Sequence, residues 1–326
     1  MRILVRGAGV AGLAVAHELT EAGARVTVAA PPPGSRAPAS WFAGGMLAPW
    51  CERESAPDRV LTLGVSAADW WERVLPGSVT RNGTLVVAPA RDRRELARFA
   101  ARTSGFDRID ADTVARLEPD LAGRFSEALF FPREAHLDPR EALTRLRETL
   151  ASRGVLFVHE AQAEEDAGFE RIVDCTGPAR IGATPGLRGV RGEMAVLACP
   201  DVTLSRPVRL LHPRIPLYIV PRGEGRVMCG ATMIESDDDG PIAARSLMEL
   251  LNAAYALHPA FAEARILETG TGIRPAFTDN LPRVTEEGRT IRVNGFYRHG
   301  FLLAPAIAAQ ATARAIGTQP ADRRRA

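Results

Sequence analysis

The chain of 326 residues is longer than most single domains, so its length predicts two domains or one large α/β unit. Hydrophobic residues make up 46% of the sequence and charged residues 25%, which excludes a disordered, collagen-like or coiled-coil chain. The 41 basic and 39 acidic residues leave a net charge of +2, too small to indicate nucleic acid or a membrane surface as a partner.

The N-terminal residues follow the pattern of a parallel sheet. Residues 3–5 are typical of a short buried strand, residues 10–22 have helical spacing, and residues 25–29 return to a strand pattern. This strand, helix, strand order predicts the first part of a doubly wound sheet.

The middle and end of the chain alternate between helical and strand patterns. One helix is predicted over residues 58–74, and Asn82-Gly83 indicates a hairpin within residues 79–88. Further helices are predicted at 139–153, 243–256 and 300–316, and further strands at 155–158, 171–174, 192–197, 217–221, 226–231, 264–270 and 291–293.

Parallel-type segments therefore occur at the start, middle and end, with antiparallel segments between them. The predicted fold class is α/β with mixed α+β character: a Rossmann-like domain with a parallel sheet, interleaved with an antiparallel-sheet domain that binds substrate. The predicted first domain is discontinuous, and the second fills the gaps. The bounds are 1–77, 139–189 and 271–326 for the nucleotide-binding domain, and 78–138 and 190–270 for the substrate domain.

A glycine-rich turn joins the first strand to the first helix. Its sequence is Gly7-Ala8-Gly9-Val10-Ala11-Gly12, a GxGxxG motif. The first glycine permits a tight turn, the second lets the backbone approach a pyrophosphate, and the third lets helix and strand pack closely. These six residues, called the fingerprint loop below, predict a dinucleotide site at the helix N-terminus.

The carboxylate that binds a ribose hydroxyl in such folds is missing. It is expected at the end of the second strand, where this chain has Ala30. Either the other contacts hold the cofactor, or Ser35 and Arg36 bind a 2′-phosphate, which would make the cofactor NADP.

Cys51, Cys175, Cys199 and Cys229 lie far apart without a CxxC pair, which argues against a zinc ribbon or a secreted disulfide scaffold. We also predict no signal peptide and no membrane span, because no apolar run reaches the required length. The expected location is the cytoplasm, and no metal site is predicted.

Four further stretches carry a family resemblance. They are Ala43-Gly44-Gly45-Met46-Leu47-Ala48-Pro49; Tyr218-Ile219-Val220-Pro221-Arg222 with Gly230-Ala231-Thr232-Met233; Gly272-Ile273-Arg274-Pro275; and Phe296-Tyr297-Arg298-His299-Gly300-Phe301-Leu302-Leu303-Ala304-Pro305. With the fingerprint loop, their order resembles the FAD-dependent D-amino-acid oxidase superfamily and, within it, the glycine oxidases of thiamine biosynthesis (ThiO). The resemblance runs from the first strand to the last helix.

The resemblance implies a substrate site built around an arginine. Arg274 would bind the substrate carboxylate through two charge-assisted hydrogen bonds, which fixes the orientation of the α-carbon. Tyr218 would donate a phenolic hydrogen bond to that carboxylate, Met233 would line the pocket, and Arg298 would lie near substrate and flavin. No side chain is expected to act as a catalytic acid or base.

The resemblance also implies non-covalently bound FAD. The last helix would direct its N-terminus at the flavin, where a positive dipole end stabilises the reduced ring. The implied cofactor contacts are Gly7, Ala8, Gly9, Val10, Ala11, Gly12, Ser40, Gly44, Gly45, Met46, Thr176, Gly177, Arg298, His299, Gly300, Phe301 and Leu302.

The implied activity is oxidative deamination of glycine, or another small amine, to the imine or to glyoxylate with ammonia and H₂O₂, for thiazole synthesis in the thiamine pathway. Oxygen is the expected electron acceptor, and a homo-oligomer is possible in this family. The alternatives are a related flavin oxidase or dehydrogenase acting on sarcosine or D-amino acids, and a non-catalytic binding module that retains the fold.

Overall fold

A computed structural model of the protein describes residues 1–31, 35, 37–159, 168–212 and 217–317. Within these residues the chain forms strands and helices in an alternating order. They are β1 (Arg2–Arg6), α1 (Val10–Glu21), β2 (Arg25–Ala30), β3 (Met46–Leu47), α2 (Pro49–Glu52), α3 (Asp58–Gly64), α4 (Ala67–Val74), β4 (Thr84–Val87), α5 (Arg93–Arg102), β5 (Asp107–Asp110), α6 (Ala111–Leu117), β6 (Glu127–Phe131), β7 (Ala135–His136), α7 (Pro139–Ser152), β8 (Leu156–His159), β9 (Arg171–Asp174), β10 (Arg188–Ala198), β11 (Val208–Leu210), β12 (Leu217–Pro221), β13 (Arg226–Gly230), β14 (Ile234–Glu235), α8 (Ala244–Leu257), β15 (Arg265–Ala276), β16 (Arg283–Glu287), β17 (Thr290–Asn294) and α9 (Gly300–Ala315).

The chain divides into two compact units, and both are discontinuous in sequence. The first unit comprises residues 1–41, 140–189 and 274–326, and the second comprises residues 42–139 and 190–273. Residues 42–77, which we predicted to belong with the parallel sheet, lie in the second unit. The reason is that β3 pairs with β7, and Trp50 and Cys51 pack in one hydrophobic cluster with Val86 and Phe131.

The first unit contains a six-stranded sheet in the order β16-β17-β9-β1-β2-β8. All its pairings are parallel except β16 with β17. Ile3, Leu4 and Val5 of the central β1 are at most 1% exposed, as expected of a parallel strand covered on both faces. Helices α1 and α9 pack against each other, and α9 also contacts β9, β16 and β17. The predicted β1-α1-β2 order is confirmed.

A second sheet of nine strands is mainly antiparallel, with β15 joined to β10 outside the main path β14-β10-β13-β12-β11-β4-β6-β5. One face of this sheet is apolar. It is covered by α8, and the shared core includes Leu85, Ile219, Cys229, Leu250 and Leu257, none more than 1% exposed. The other face carries the polar side chains described below.

Two local predictions are wrong. The helix predicted over residues 58–74 is two helices, since Gly64 ends α3 and α4 begins at Ala67. Asn82-Gly83 does not turn a hairpin: the N–H of Gly83 donates to the carbonyl of Glu134 at 3.1 Å, and β4 pairs with β6 and β11. A Cβ atom at Gly83 would lie 2.5 Å from the Phe130 ring, so a distant aromatic residue requires this glycine.

Among the described residues, we find no helix with the length and apolarity needed to span a membrane.

Candidate functional site

The fingerprint loop lies between β1 and α1 in the first unit, as predicted. Gly7 has a φ of +95°, and a Cβ atom there would lie 2.6 Å from the carbonyl oxygen of Cys175. A Cβ atom at Gly12 would lie 1.9 Å from the carbonyl oxygen of Gly7. Both glycines are therefore required by the fold whatever the loop binds, Gly12 by the loop itself and Gly7 by the backbone that follows β9.

Gly9 is different, because the protein leaves space beside it. A Cβ atom at this position would meet only the Pro38 Cβ and the Ser40 Oγ at 3.5 Å, an ordinary contact distance. The packing of the chain does not require glycine here, whereas a pyrophosphate approaching the backbone does. Gly9 thus fits the expected cofactor.

The N-terminus of α1 also fits a phosphate group. The N–H of Val10 donates to the Ser40 hydroxyl at 3.3 Å. The first turn of α1 contains no acidic residue, and the Gly9 cap position offers no side-chain acceptor. The positive end of the helix dipole is therefore left to a bound anion, as in other dinucleotide folds.

At the end of β2 the structure places no carboxylate in the expected position. Ala30 is 7% exposed and stands in register with His159 of the neighbouring β8. Ser35, one of the two residues of the NADP alternative, is exposed, and Arg36, the other, lies outside the described residues. The adenosine end of the cofactor depends on groups other than an acid at residue 30.

Thr176 and Gly177 follow β9, and polar contacts hold them there. The Asp174 carboxylate accepts hydrogen bonds from the Thr176 N–H at 3.1 Å and from the Thr176 hydroxyl at 2.6 Å. The Asn294 amide donates to the carbonyl of Gly177 at 2.9 Å. The sequence prediction named Thr176 and Gly177 but missed Asp174 and Asn294, which position them.

The backbone segments that carry Arg274 and Arg298 are joined by a hydrogen bond in the first unit. The N–H of Tyr297 donates to the carbonyl of Pro275 at 2.8 Å, so each arginine is one residue away from this bond. Both arginines are half-buried. Tyr297 has a φ of +52°, unusual for a residue with a side chain, and the Arg298 guanidinium lies 5.5 Å from its ring centroid.

The predicted cofactor contacts His299, Gly300, Phe301 and Leu302 form the start of α9. His299 occupies the cap position and is 3% exposed, and the first turn has no acidic residue. A Cβ atom at Gly300 would lie 3.2 Å from a Val10 methyl group, so Gly300 permits the close approach of α9 to α1. The first turns of α1 and α9 both lack acidic residues, whereas α7 carries Glu141 in its first turn.

In the second unit Tyr218 lies on the sheet face opposite α8. It stands in register with Arg209 of β11 and with Gly230 of β13. Its ring fits beside two glycines: a Cβ atom would lie 2.8 Å from the ring at Gly44 and 3.3 Å from it at Gly230. Gly44 must remain without a side chain if the ring is to keep this orientation, whereas at Gly230 the ring contact is tight and the nearest atom is the Met228 methyl group at 2.9 Å.

Residues 43–46, called the Gly44 segment below, are held by an arginine that the sequence prediction did not assign. Arg222 donates to the carbonyls of Gly44 at 2.9 Å and Ala43 at 3.3 Å, and its Nε lies 3.4 Å from Asp138. Arg222 belongs to a motif that carried the resemblance. Its target carbonyls lie almost 180 positions away, so no local pattern could have identified them.

Gly45 and Met46 complete this segment. Gly45 has a φ of +72°, and a Cβ atom there would lie 2.1 Å from the carbonyl of Leu137. Met46 is half-buried and pairs with His136 in the two-stranded β3-β7 ladder. Burial, followed by the charges of Arg222 and Arg206, lowers the pKa of His136 to about 4, so this histidine is neutral near pH 7.

Met233 is 45% exposed and follows a firmly held turn. The Thr232 hydroxyl donates to Glu193 at 3.0 Å, and the N–H of Glu193 donates to the Thr232 oxygen at 2.9 Å. Arg191 donates to the same carboxylate at 2.7 Å. Glu193 and Arg191 thus position Met233 through its neighbour, a role that the sequence did not indicate.

A buried group of charges lies on the Tyr218 face of the sheet. Arg209 donates to Glu52, and the N–H of Cys51 donates to Glu134 at 2.7 Å. Burial raises the pKa of Glu134, while the nearby charge of Arg209 lowers it. The pKa of Glu134 is raised overall, so its neutral acid form is favoured more than it would be in water.

Comparison with known proteins defines the class. The family described as FAD dependent oxidoreductase matches residues 2–314. The chain therefore belongs to this family, and its cofactor is FAD.

The chain is 63% identical to a Rhizobium etli protein provisionally named thiamine biosynthesis oxidoreductase ThiO, over 100% of both chains. It is 25% identical to the glycine oxidase of Bacillus licheniformis, over 93% of this chain and 89% of the relative. The crystal structure of glycine oxidase from Geobacillus kaustophilus has the same fold, with a TM-score of 0.78, 23% identity and coverage of 98% of this chain and 96% of that one.

Proposed function

We propose that this enzyme oxidatively deaminates glycine, or a closely similar small amine, to the imine and then to glyoxylate and ammonia. The observation that carries this proposal is the 63% identity with the Rhizobium etli ThiO protein over the whole chain. FAD, held by the predicted cofactor contacts, would supply the two-electron oxidation of the amine. Water would hydrolyse the imine, and oxygen would accept the two electrons to give H₂O₂. The product would supply thiazole synthesis in the thiamine pathway.

Within this proposal Arg274 binds the substrate carboxylate. It is a half-buried arginine in β15, one residue before the carbonyl that holds Tyr297. A guanidinium in a partly dehydrated position pairs with a carboxylate through two parallel hydrogen bonds. Tyr218, Met233 and Arg298 remain predicted substrate contacts.

The first test is an anaerobic visible absorption spectrum of the FAD-loaded enzyme before and after addition of glycine. We expect the oxidised-flavin band to bleach. A flavin band that glycine leaves unchanged, but sarcosine or a D-amino acid bleaches, would favour the alternative amine substrates. A protein that fails to retain FAD after reconstitution would favour the non-catalytic module and contradict the proposal.

The second test replaces the proposed carboxylate ligand. We expect Arg274→Ala to raise the KM for glycine about 100-fold, because a charge-assisted bidentate contact contributes roughly 3 kcal/mol. Arg265→Ala, an exposed arginine at the start of the same strand, is the matched control and should leave the KM unchanged. An unchanged KM in Arg274→Ala, measured by H₂O₂ release, would contradict the assignment of Arg274.

A further inference from the structure

The loop that carries Met233 leaves the sheet of the second unit beside Tyr218. β13 ends at Gly230, which stands opposite Tyr218 of β12 on one side and Met194 of β10 on the other. Met233 is the third residue after that point. Residues 232–243, called the β13–α8 loop below, lead from there to the residue before α8. The position of Met233 therefore depends on what holds this loop.

Arg191 of β10 holds the far part of the loop. Its guanidinium donates to the carbonyl of Asp238 at 2.7 Å, to the carboxylate of Asp238 at 2.9 Å and to the carbonyl of Pro241. It also donates to Glu193, from Nε at 3.0 Å and from Nη at 2.7 Å. These five hydrogen bonds equal the number of N–H groups in a guanidinium. Arg191 is 4% exposed, so a fully bonded charge fixes the loop from inside.

Glu193, two residues further along β10, holds both ends of the loop. Its carboxylate accepts hydrogen bonds from the Thr232 hydroxyl at 3.0 Å and from the N–H of Ala243 at 3.1 Å. The same hydroxyl accepts the N–H of Glu193 at 2.9 Å. Glu193 is 0% exposed. Because a buried ion pair that loses one partner leaves an uncompensated charge, Arg191 and Glu193 hold the loop as a unit.

The backbone is anchored to β10 on both sides of Met233. Thr232 bonds to Glu193, and Ile234 pairs with Arg191 in the β10–β14 ladder. Met233 is 45% exposed, so burial alone does not fix its position. A segment with buried hydrogen bonds at each end opens less readily than a loop without them. The two charged residues of β10 thus decide how firmly Met233 stays in place.

We propose that Arg191 and Glu193 are positioning residues that make Met233 a fixed wall of the substrate pocket and so restrict the enzyme to glycine and amines of similar size. This inference rests on the proposed function, in which Met233 is a predicted substrate contact. A wall that cannot move aside leaves no space for a substituent on the α-carbon. In a closely fitted pocket, one additional methyl group changes kcat/KM by about 10- to 200-fold.

The test compares kcat/KM for glycine and for D-alanine, measured by H₂O₂ release from the FAD-loaded enzyme. D-Alanine carries one methyl group more than glycine on the α-carbon. We expect Thr232→Val to lower the preference for glycine about tenfold, because it cuts the link to Glu193 while the Arg191–Glu193 pair remains. Glu193→Gln should lower the preference at least as far. The ratio of the two kcat/KM values does not depend on the fraction of active enzyme, so partial unfolding cannot change it.

Glu118→Gln is the matched control for Glu193→Gln. Glu118 is also 0% exposed and is paired with a buried arginine, Arg206, at 2.6 Å. Neither residue of this pair is a predicted substrate or cofactor contact. Glu118→Gln should lower the Tm much as Glu193→Gln does and leave the preference for glycine unchanged.

A double-mutant cycle shows whether the effect passes through Met233. In the background of Met233→Ala, Thr232→Val should change the preference by less than about twofold, because the side chain that it positions is gone. A full effect in that background would overturn the positioning role, as would an unchanged preference in Thr232→Val or an equal change in Glu118→Gln. A wild type that oxidises D-alanine as well as glycine would overturn the size restriction. A wild type that does not oxidise glycine would contradict the proposed function and, with it, this inference.

Discussion

Two glycine-rich regions of this enzyme are predicted to contact FAD. A side chain would be excluded from each by contacts with different parts of the chain. In the fingerprint loop, the clash at Gly12 would be with Gly7, five residues away. In the Gly44 segment, the clashes would be with Tyr218 and Leu137, and the carbonyl bonds come from Arg222. The Gly7 clash would be with the backbone of Cys175, just after β9. The fingerprint loop therefore combines one contact within the loop with one across the parallel sheet, whereas both clashes in the Gly44 segment are with residues far along the chain.

The largest effect is expected in the fingerprint loop. Gly12→Ala places a Cβ atom 1.9 Å from the backbone oxygen of Gly7, and neither atom can move without deforming the loop. We expect the free energy of unfolding to fall by more than about 3 kcal/mol and FAD binding to be lost. Thermal unfolding and the flavin absorbance of the purified protein would measure both.

Gly9→Ala is the informative companion to this variant. Its Cβ atom meets only ordinary contacts at 3.5 Å, so the fold should persist while the affinity for FAD falls. If Gly9→Ala bound FAD as tightly as the wild type, Gly9 would not lie at the pyrophosphate. If Gly12→Ala were as stable as the wild type, the local origin of the loop geometry would be wrong.

The next prediction is a pH dependence of stability. It concerns the Gly44 segment and not the fingerprint loop, because the titrating residue is His136, which pairs with Met46 of that segment. Burial, and then the charges of Arg222 and Arg206, lowers the pKa of His136 from 6.5 to about 4. Between these values the unfolded chain binds a proton that the folded chain rejects, so stability is retained above pH 6.5 and falls as the pH drops towards 4. At about 1.4 kcal/mol per pH unit the loss approaches about 3 kcal/mol.

Urea unfolding of the wild type and of His136→Phe across this pH window tests the effect. The pH dependence of stability should be much flatter in the variant, which has no imidazole to protonate. Identical slopes for the two proteins would show that other groups are responsible.

Gly44→Ala should have a smaller effect, because its clash at 2.8 Å is with a side chain that can rotate. We expect a loss of about 1 to 3 kcal/mol in the free energy of unfolding, with a raised KM as the Tyr218 ring moves. In the background of Tyr218→Ala the same substitution should cost much less. A double-mutant cycle without this coupling would contradict the contact between Gly44 and Tyr218.

The smallest effect is expected at the arginine that holds the Gly44 segment. Arg222→Lys keeps the positive charge but loses the planar fork that reaches two carbonyls, so we expect a loss of about 1 to 2 kcal/mol. The flavin spectrum should shift as the segment loosens. Arg226→Lys, which affects only an exposed pair with Glu224, is the control and should change stability by less than about 1 kcal/mol. Equal stability losses in the two variants would contradict the role of Arg222.

Much of the fold was predictable because its signals are local. The strands at 171–174 and 217–221 and the helix starting at Gly300 were predicted within a residue of their observed bounds, since alternation and helical spacing act over a few positions. The prediction of a hairpin at Asn82-Gly83 was wrong because the contacts there are long-range. Gly83 is required by Phe130, and the partner strand of β4 is β6, more than 40 residues further along the chain.

The same division applies to the candidate site. The GxGxxG spacing identified the fingerprint loop, whereas Arg222, Asp174, Asn294 and Glu193 gave no sequence signal for their positioning roles. Arg222, Asn294 and Glu193 each hydrogen-bond a segment that the fold brings to them, whereas Asp174 bonds to Thr176, two residues further along.

Sequence spacing was enough to predict the nucleotide loop and the strands and helices of the parallel sheet around it, because these patterns extend over neighbouring residues. The family resemblance supplied the cofactor class. Only the folded chain showed that residues 42–77 belong to the second unit and that Gly44 and Gly230 lie beside the Tyr218 ring. Those features depend on which distant segments become neighbours, and a hydrogen bond or close contact of that kind leaves no periodic trace in the sequence.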